Sequence, residues 1–221
     1  MFGTHGNLPS TTNLVGYWPL DETSGTNAPD ESGNGNDGTL VNMEDADWVD
    51  GVVGKCLDFD GTNEYVEIAD SANLNPTTEI TLEAWIYPKA TGLKYIIGKG
   101  WASPGYNLNI DPQDKAEFCV KAADAGSQIN IAGTTTLLVD TWYHIVGTLG
   151  SDETARVYVN SVQENSSAWT KGINTSTDTL RIGHLGGQSE YFTGLIDEVR
   201  IYSTALTASE IKALYDYPAG V

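Results

Sequence analysis

The feature that most constrains this chain is the recurrence of short β-favouring runs, at positions 14–20, 57–59, 65–69, 80–87, 95–98, 106–110, 117–122, 128–132, 142–149, 155–159, 179–182 and 192–202, punctuated by Gly, Asn, Asp and Ser. Strand-length runs at this spacing read as an all-β, two-sheet antiparallel sandwich, not as alternating strand–helix units. One short C-terminal helix is expected. Thr207-Ala208-Ser209-Glu210 forms a capping box with Thr207 at the N-cap, and Ile211, Leu214 and Tyr215 form the apolar stripe behind it. No fixed-period repeat is visible, which sets propellers and solenoids aside. The polar segment 161–177, with its isolated Trp169, reads as a long hairpin loop.

The last strand-like run, 190–202, carries an anomaly. Strict alternation puts Leu195, Asp197, Val199 and Ile201 on one face and Ile196, Glu198, Arg200 and Tyr202 on the other. Asp197 is therefore expected in an apolar row. A buried carboxylate needs a basic partner, backbone donors or a cation, and calcium is the expectation here. Oxygen donors for such an ion are concentrated in the loop 30–38, where Asp30, Asn34, Asn36 and Asp37 alternate with Gly33, Gly35 and Gly38. Glu22 shares strand parity with Trp18 and Leu20 and ends on the same side. The same Asx/Gly composition also suits tight turns without metal.

The run Phe192-x-Gly194-x-Ile196-Asp197-Glu198-Val199-Arg200-Ile201-Tyr202, followed by a Thr-Ala-Ser-Glu-Ile helix, resembles the closing signature of laminin-G-like jelly-roll domains in the concanavalin A-like lectin/glucanase superfamily. The blocks 17–22, 30–38, 57–61, 81–86 and 141–146 resemble the same family in the same order. The resemblance implies a jelly-roll sandwich over 13–221 as a single domain, with 1–12 as a linker. It also implies one structural calcium joining the early loop to the last strand, carried over to Glu22, Asp30, Asn34, Asn36 and Asp197.

Thirty acidic against eleven basic residues give a formal charge of −19. That argues against nucleic-acid binding, because phosphates reward Lys and Arg. No apolar run approaches the ~20 residues needed to span a bilayer, so no membrane insertion is expected. The first ten residues lack a basic start and apolar core, so a domain of a longer exported, extracellular or cell-surface protein is expected, in contact with other domains of that parent. Whether Cys56 and Cys119 are bridged is open in the sequence.

Glucanases of the superfamily carry an E-x-D-x-E or E-x-D-x-x-E strand. Here Glu79 and Glu83 share a face without the intervening aspartate, so no enzyme is expected. His5, His144 and His184 have no Ser or Cys partner by motif. The leading expectation is a non-catalytic, calcium-stabilised carbohydrate-binding or adhesion module whose partner is a polysaccharide or glycoconjugate. The alternatives are a structural or protein-interaction domain of a surface, matrix or virion protein, and, further off, a glycan hydrolase or lyase. Sugars are held by aromatic faces and planar polar groups. The ligand candidates are Trp101 and Tyr106 around one turn, Trp169 in the polar segment, and His184 and Tyr191 flanking the loop 186–189. Trp85 is expected on a sheet face with Glu83 and Tyr87.

Overall fold

The computed structural model describes residues 11–100, 105–122, 124 and 126–220. Its strands are β1 (Leu14–Trp18), β2 (Asn27–Ala28), β3 (Gly38–Val41), β4 (Trp48–Asp50), β5 (Lys55–Asp60), β6 (Tyr65–Ile68), β7 (Ile80–Pro88), β8 (Lys94–Lys99), β9 (Tyr106–Ile110), β10 (Ala116–Lys121), β11 (Gln128–Ala132), β12 (Tyr143–Leu149), β13 (Thr154–Val159), β14 (Val162–Ala168), β15 (Leu180–Ile182) and β16 (Thr193–Tyr202). The helix α1 spans Ala208–Asp216. Sheet A runs β14-β13-β12-β7-β16-β5-β4, with β1 also on β16, and sheet B runs β11-β10-β9-β8-β15-β6-β3-β2. The registered pairs in both sheets are antiparallel. The fold is thus the expected all-β two-sheet sandwich with one C-terminal helix.

Alternation builds the core. Ile80, Leu82, Ala84 and Ile86 of β7 face Leu108 and Ile110 of β9 and Phe118 and Val120 of β10 within one buried cluster. A Cβ on Gly147 would lie 2.4 Å from the Phe118 ring, so this glycine lets the two sheets close over a large side chain. Burial of each such aliphatic or aromatic group contributes about 1.5–3 kcal/mol.

Two local expectations are corrected, and the open question of the cysteines is answered. Segment 161–177 is not all loop: β14 pairs with β13 as an edge strand, nearly all exposed, and the absence of a buried face explains its missing alternation. Cys56 and Cys119 are both buried and free. Burial, with Asp197 and Glu117 as the leading neighbouring charges, pushes the two thiols up to about 12.

The second correction concerns the last strand. Asp197 pairs with Trp85 and Arg200 with Glu83, so three steps along β16 match two along β7. The extra residue is a β-bulge, and Glu198 takes φ 54° within it. Ile196, Val199 and Ile201 all enter the core despite their mixed parity. Asp197 is displaced from that row to the outer face, beside Trp85. It is fully buried there, under the turn at Gly51 rather than among Val199 and Ile201.

Candidate functional site

The outer faces of the two sheets differ. On sheet A, α1 packs Ile211 and Leu214 against Val146, Tyr158 and Tyr202 in a second apolar cluster. Thr207 and Glu210 reciprocally cap the helix, as the capping box predicts. Tyr215 stacks on Trp85 at 5.6 Å and 13°. Beneath the helix lies a closed ionic network. Arg200 donates to both oxygens of Glu83 at 3.1 and 3.2 Å and bonds Glu198 directly. The Tyr17 hydroxyl donates to Glu198 at 3.0 Å, and His144 Nε2 donates to Glu83 at 3.0 Å. Burial opposes the charge on Glu83, yet Arg200 and His144 hold its carboxyl below the usual range. Burial wins at Glu198, whose carboxyl is raised despite Arg200. Trp85 does share a face with Glu83, as alternation predicts, but the helix makes that face inaccessible.

Asp197 stands at the margin of this covered face. Its Oδ2 accepts from Val52 N at 2.7 Å and Val53 N at 3.1 Å, while its Oδ1 is buried without a hydrogen-bond partner. Burial, opposed by these amides and reinforced by Glu198 and Asp21, pushes its carboxyl up to about 8. Glu22 Oε2 is likewise buried without a partner, and burial raises that carboxyl too. The other expected metal ligands make bonds within their own loop and to β1. Asp30 accepts from the amides of Tyr17, Ser32 and Asn36, which makes it the organiser of its loop. Asn34 donates to Leu14 O, and Asn36 donates to Val15 O while accepting from Ser71. The Asx/Gly loop is therefore stitched to β1 by turn chemistry. Among the described residues no group of three or more His, Cys, Asp or Glu is placed to hold a metal ion.

The outer face of sheet B is open. Register sets three rows across it: Ala132–Glu117–Asn109–Tyr95, then Asn130–Cys119–Asn107–Gly98, then Gln128–Lys121. Gly98 leaves room for Leu185, whose Cδ1 would lie 2.7 Å from a Cβ there. Leu185 and Gln188 thus form a wall, and the rows floor a groove of about 330 Å³. Glu117 Oε2 accepts from the side-chain amides of Asn109 at 3.2 Å and Asn130 at 3.1 Å, and Oε1 makes no hydrogen bond among the described residues. Burial raises this carboxyl against those two bonds. Asn107 Oδ1 is also unpartnered. Lys121 makes neither ion pair nor side-chain hydrogen bond among the described residues, although it belongs to a strongly acidic chain.

The expected ligand residues are scattered. His184 stacks on Tyr191 at 4.0 Å and 5°. Its Nε2 donates to Gln188 O at 3.0 Å and its Nδ1 accepts from Arg181 at 3.2 Å, which fixes a neutral ring. Burial, aided by Arg181, lowers its pKa. The pair supports the groove wall from behind and does not line the groove. Tyr106, 2% exposed with its hydroxyl on Leu74 O, belongs to the core. Trp169 is buried at a separate end of the sandwich, its indole bonded to Gly172 O at 2.7 Å. Trp101 lies outside the described residues, as does His5. Sequence reading missed Asn107, Asn109, Glu117, Lys121, Gln128 and Asn130. Their signal was present as amide-rich outward positions in three successive runs, but solvated strands look the same until their neighbours are known.

The family model for the concanavalin A-like lectin/glucanases superfamily matches residues 60–212. The chain belongs to this superfamily. A further match is the adhesion G-protein coupled receptor V1 of Danio rerio, 27% identical over 149 residues, or 63% of this chain; the chain spans only 2% of that protein. Among solved structures, the binding domain of Paraclostridial Mosquitocidal Protein 1 superposes with TM-score 0.75 and 18% identity, covering 93% of this chain and 52% of that one. Domain 4 of AbnA, an extracellular arabinanase from Geobacillus stearothermophilus bound to arabinotriose, gives 0.69 and 21%, covering 92% and 98%. The binding domain of botulinum neurotoxin DC, in complex with rat synaptotagmin II, gives 0.69 and 14%, covering 94% and 52%. These likenesses establish the superfamily's sandwich, shared with domains that hold sugars or proteins.

Proposed function

We propose that this domain is a non-catalytic carbohydrate-binding module of a larger extracellular or cell-surface protein, with its polysaccharide or glycoconjugate ligand in the groove over β8–β11. The observation that supports this is the polar floor: Glu117 Oε1, which makes no hydrogen bond among the described residues, shares the groove lining with Asn107, Asn109, Asn130, Gln128 and Gln188. Sugar hydroxyls both donate and accept, so an amide-rich concave surface suits them. Glu117 is the lone carboxylate among the groove's lining residues, whereas glycoside hydrolysis needs two. The carboxylates of Glu83 and Glu198 are sealed beneath α1. A glycan array followed by calorimetry on the best ligand tests the reading. Asn107→Ala with Glu117→Ala should weaken binding by more than about tenfold, and undiminished affinity would refute the groove.

The domain also takes one structural calcium at Asp197, with Glu22. The buried, unpartnered oxygen on each carboxylate supports this, because a cation stabilises a buried carboxylate that lacks another partner. Calcium's further ligands would be backbone carbonyls and water. The ion would supply stability alone, and saturating calcium should raise the melting temperature over that in EDTA. A protein-interaction role draws support from the exposed Leu138 and Val139, 61% and 40% accessible. That reading prevails if no glycan binds.

A further inference from the structure

Thirty acidic side chains face eleven basic ones in this chain, so every lysine has an excess of carboxylates available to it. Eight of the eleven form ion pairs. Among the described residues Lys94, Lys115 and Lys121 form none, and the Lys115 ammonium is taken by Thr134 O and Thr136 Oγ1. Lys121 is half-buried in the groove, and its Nζ has no partner among the described residues, although Glu117 stands on the same face of the same strand. Glu117 is held back by Asn109 and Asn130, which orient its carboxylate across β9 and β11 instead of along β10. A positive pole and a negative pole are thereby kept apart, four residues and on the order of 13 Å along the strand.

We infer that the groove selects, in one orientation, a glycan carrying an isolated anionic group, a carboxylate or a sulfate, which Lys121 receives while Glu117 and Asn107 hold hydroxyls of uncharged sugar units. The inference rests on the carbohydrate-binding reading and deepens it. Like-charge repulsion from Glu117 excludes the anion from the other end, so the ligand's direction is fixed. The spacing exceeds one sugar ring, so the ligand is an oligosaccharide. The charge of −19 disfavours continuous polyanions, whose remaining charges would meet an acidic surface.

The test is a glycan array in which each acidic member has an uncharged counterpart: uronates against their methyl esters, sulfated against unsulfated chains, and heparin as a dense polyanion. The native protein should favour sparsely acidic members over their counterparts by about tenfold, as one charge-assisted hydrogen bond provides. The uronate and sulfate arms identify the anion. Lys121→Met should bring that ratio to one, and Lys121→Arg should keep it. Binding that depends on Glu117 and Asn107 but shows no acidic preference would overturn this inference and leave the carbohydrate-binding reading standing. Heparin as the best ligand, or a ratio unchanged in Lys121→Met, would overturn it too. No binding to any glycan would overturn both.

Discussion

The two outer faces of this sandwich are made from similar strands and have opposite fates. On sheet A the charged side chains of Arg200, Glu83 and Glu198 bond to one another, and the face is covered by α1. On sheet B the groove over β8–β11 is floored mostly by amides, with one acid and one base that makes no ion pair among the described residues, while Arg181 and Glu67 pair farther along the same face. Both faces carry polar groups in apolar surroundings, so polarity alone does not mark a binding surface. What marks it is unused valence that a ligand can reach, as at Glu117 and Lys121, which line the open groove.

The largest test concerns the one carboxylate on the covered face that is left incomplete. Asp197, pushed up to about 8, keeps its proton when folded far longer than in the unfolded chain, where it titrates near 3.8. In EDTA its contribution is therefore greatest in acid and is lost as pH rises from about 4 to about 8, a change of up to ~5 kcal/mol. Urea melts at pH 5 and pH 8 should show the slope, and Asp197→Asn should flatten it. Calcium should oppose the slope, because the ion binds the ionised form. A slope identical in wild type and variant would dismiss both the strained carboxylate and the calcium assigned to it.

Next comes the seal itself. Arg200→Met leaves Glu83 and Glu198 facing one another in a dry site, at a cost of about 3–5 kcal/mol in chemical denaturation. Leu214→Ala, which empties a fully covered position under α1, should cost about 3 kcal/mol. In both variants the folded fraction should bind glycan with native affinity, since sheet B is untouched. Coupled loss of affinity would mean that the two faces are not independent.

Much of the architecture was legible because it rests on local rules. The period-two pattern of Ile80, Leu82, Ala84 and Ile86 and the reciprocal Thr207–Glu210 cap each declare their state within a few residues. The bulge at Glu198 was hidden, because no glycine announces it and only pairing with β7 forces the extra residue out. It left Asp197 buried, as expected, for a different reason. The groove was hidden more deeply. Asn109, Glu117 and Asn130 come from three strands, and Leu185 and Gln188 from a loop beyond β15, so their meeting depends on strand order. Aromatic loop residues were weighted for their chemistry, yet Tyr106 and Trp169 found internal partners first.

The smallest stability effect is expected at Glu117→Gln, and it separates the two faces most sharply. The amide oxygen of glutamine can still accept from Asn109 and Asn130, so the local lattice of side chains survives. Burial raises the Glu117 carboxyl, so ionisation at neutral pH opposes folding; glutamine removes that opposition. The variant should melt at or slightly above the wild-type temperature, within about 0.5 kcal/mol. Its glycan affinity should nevertheless fall about tenfold, because the free charged acceptor at Oε1 is gone. An unaltered affinity in this equally stable variant would show that the free valence on sheet B is incidental, and the contrast between the faces would lose its functional meaning.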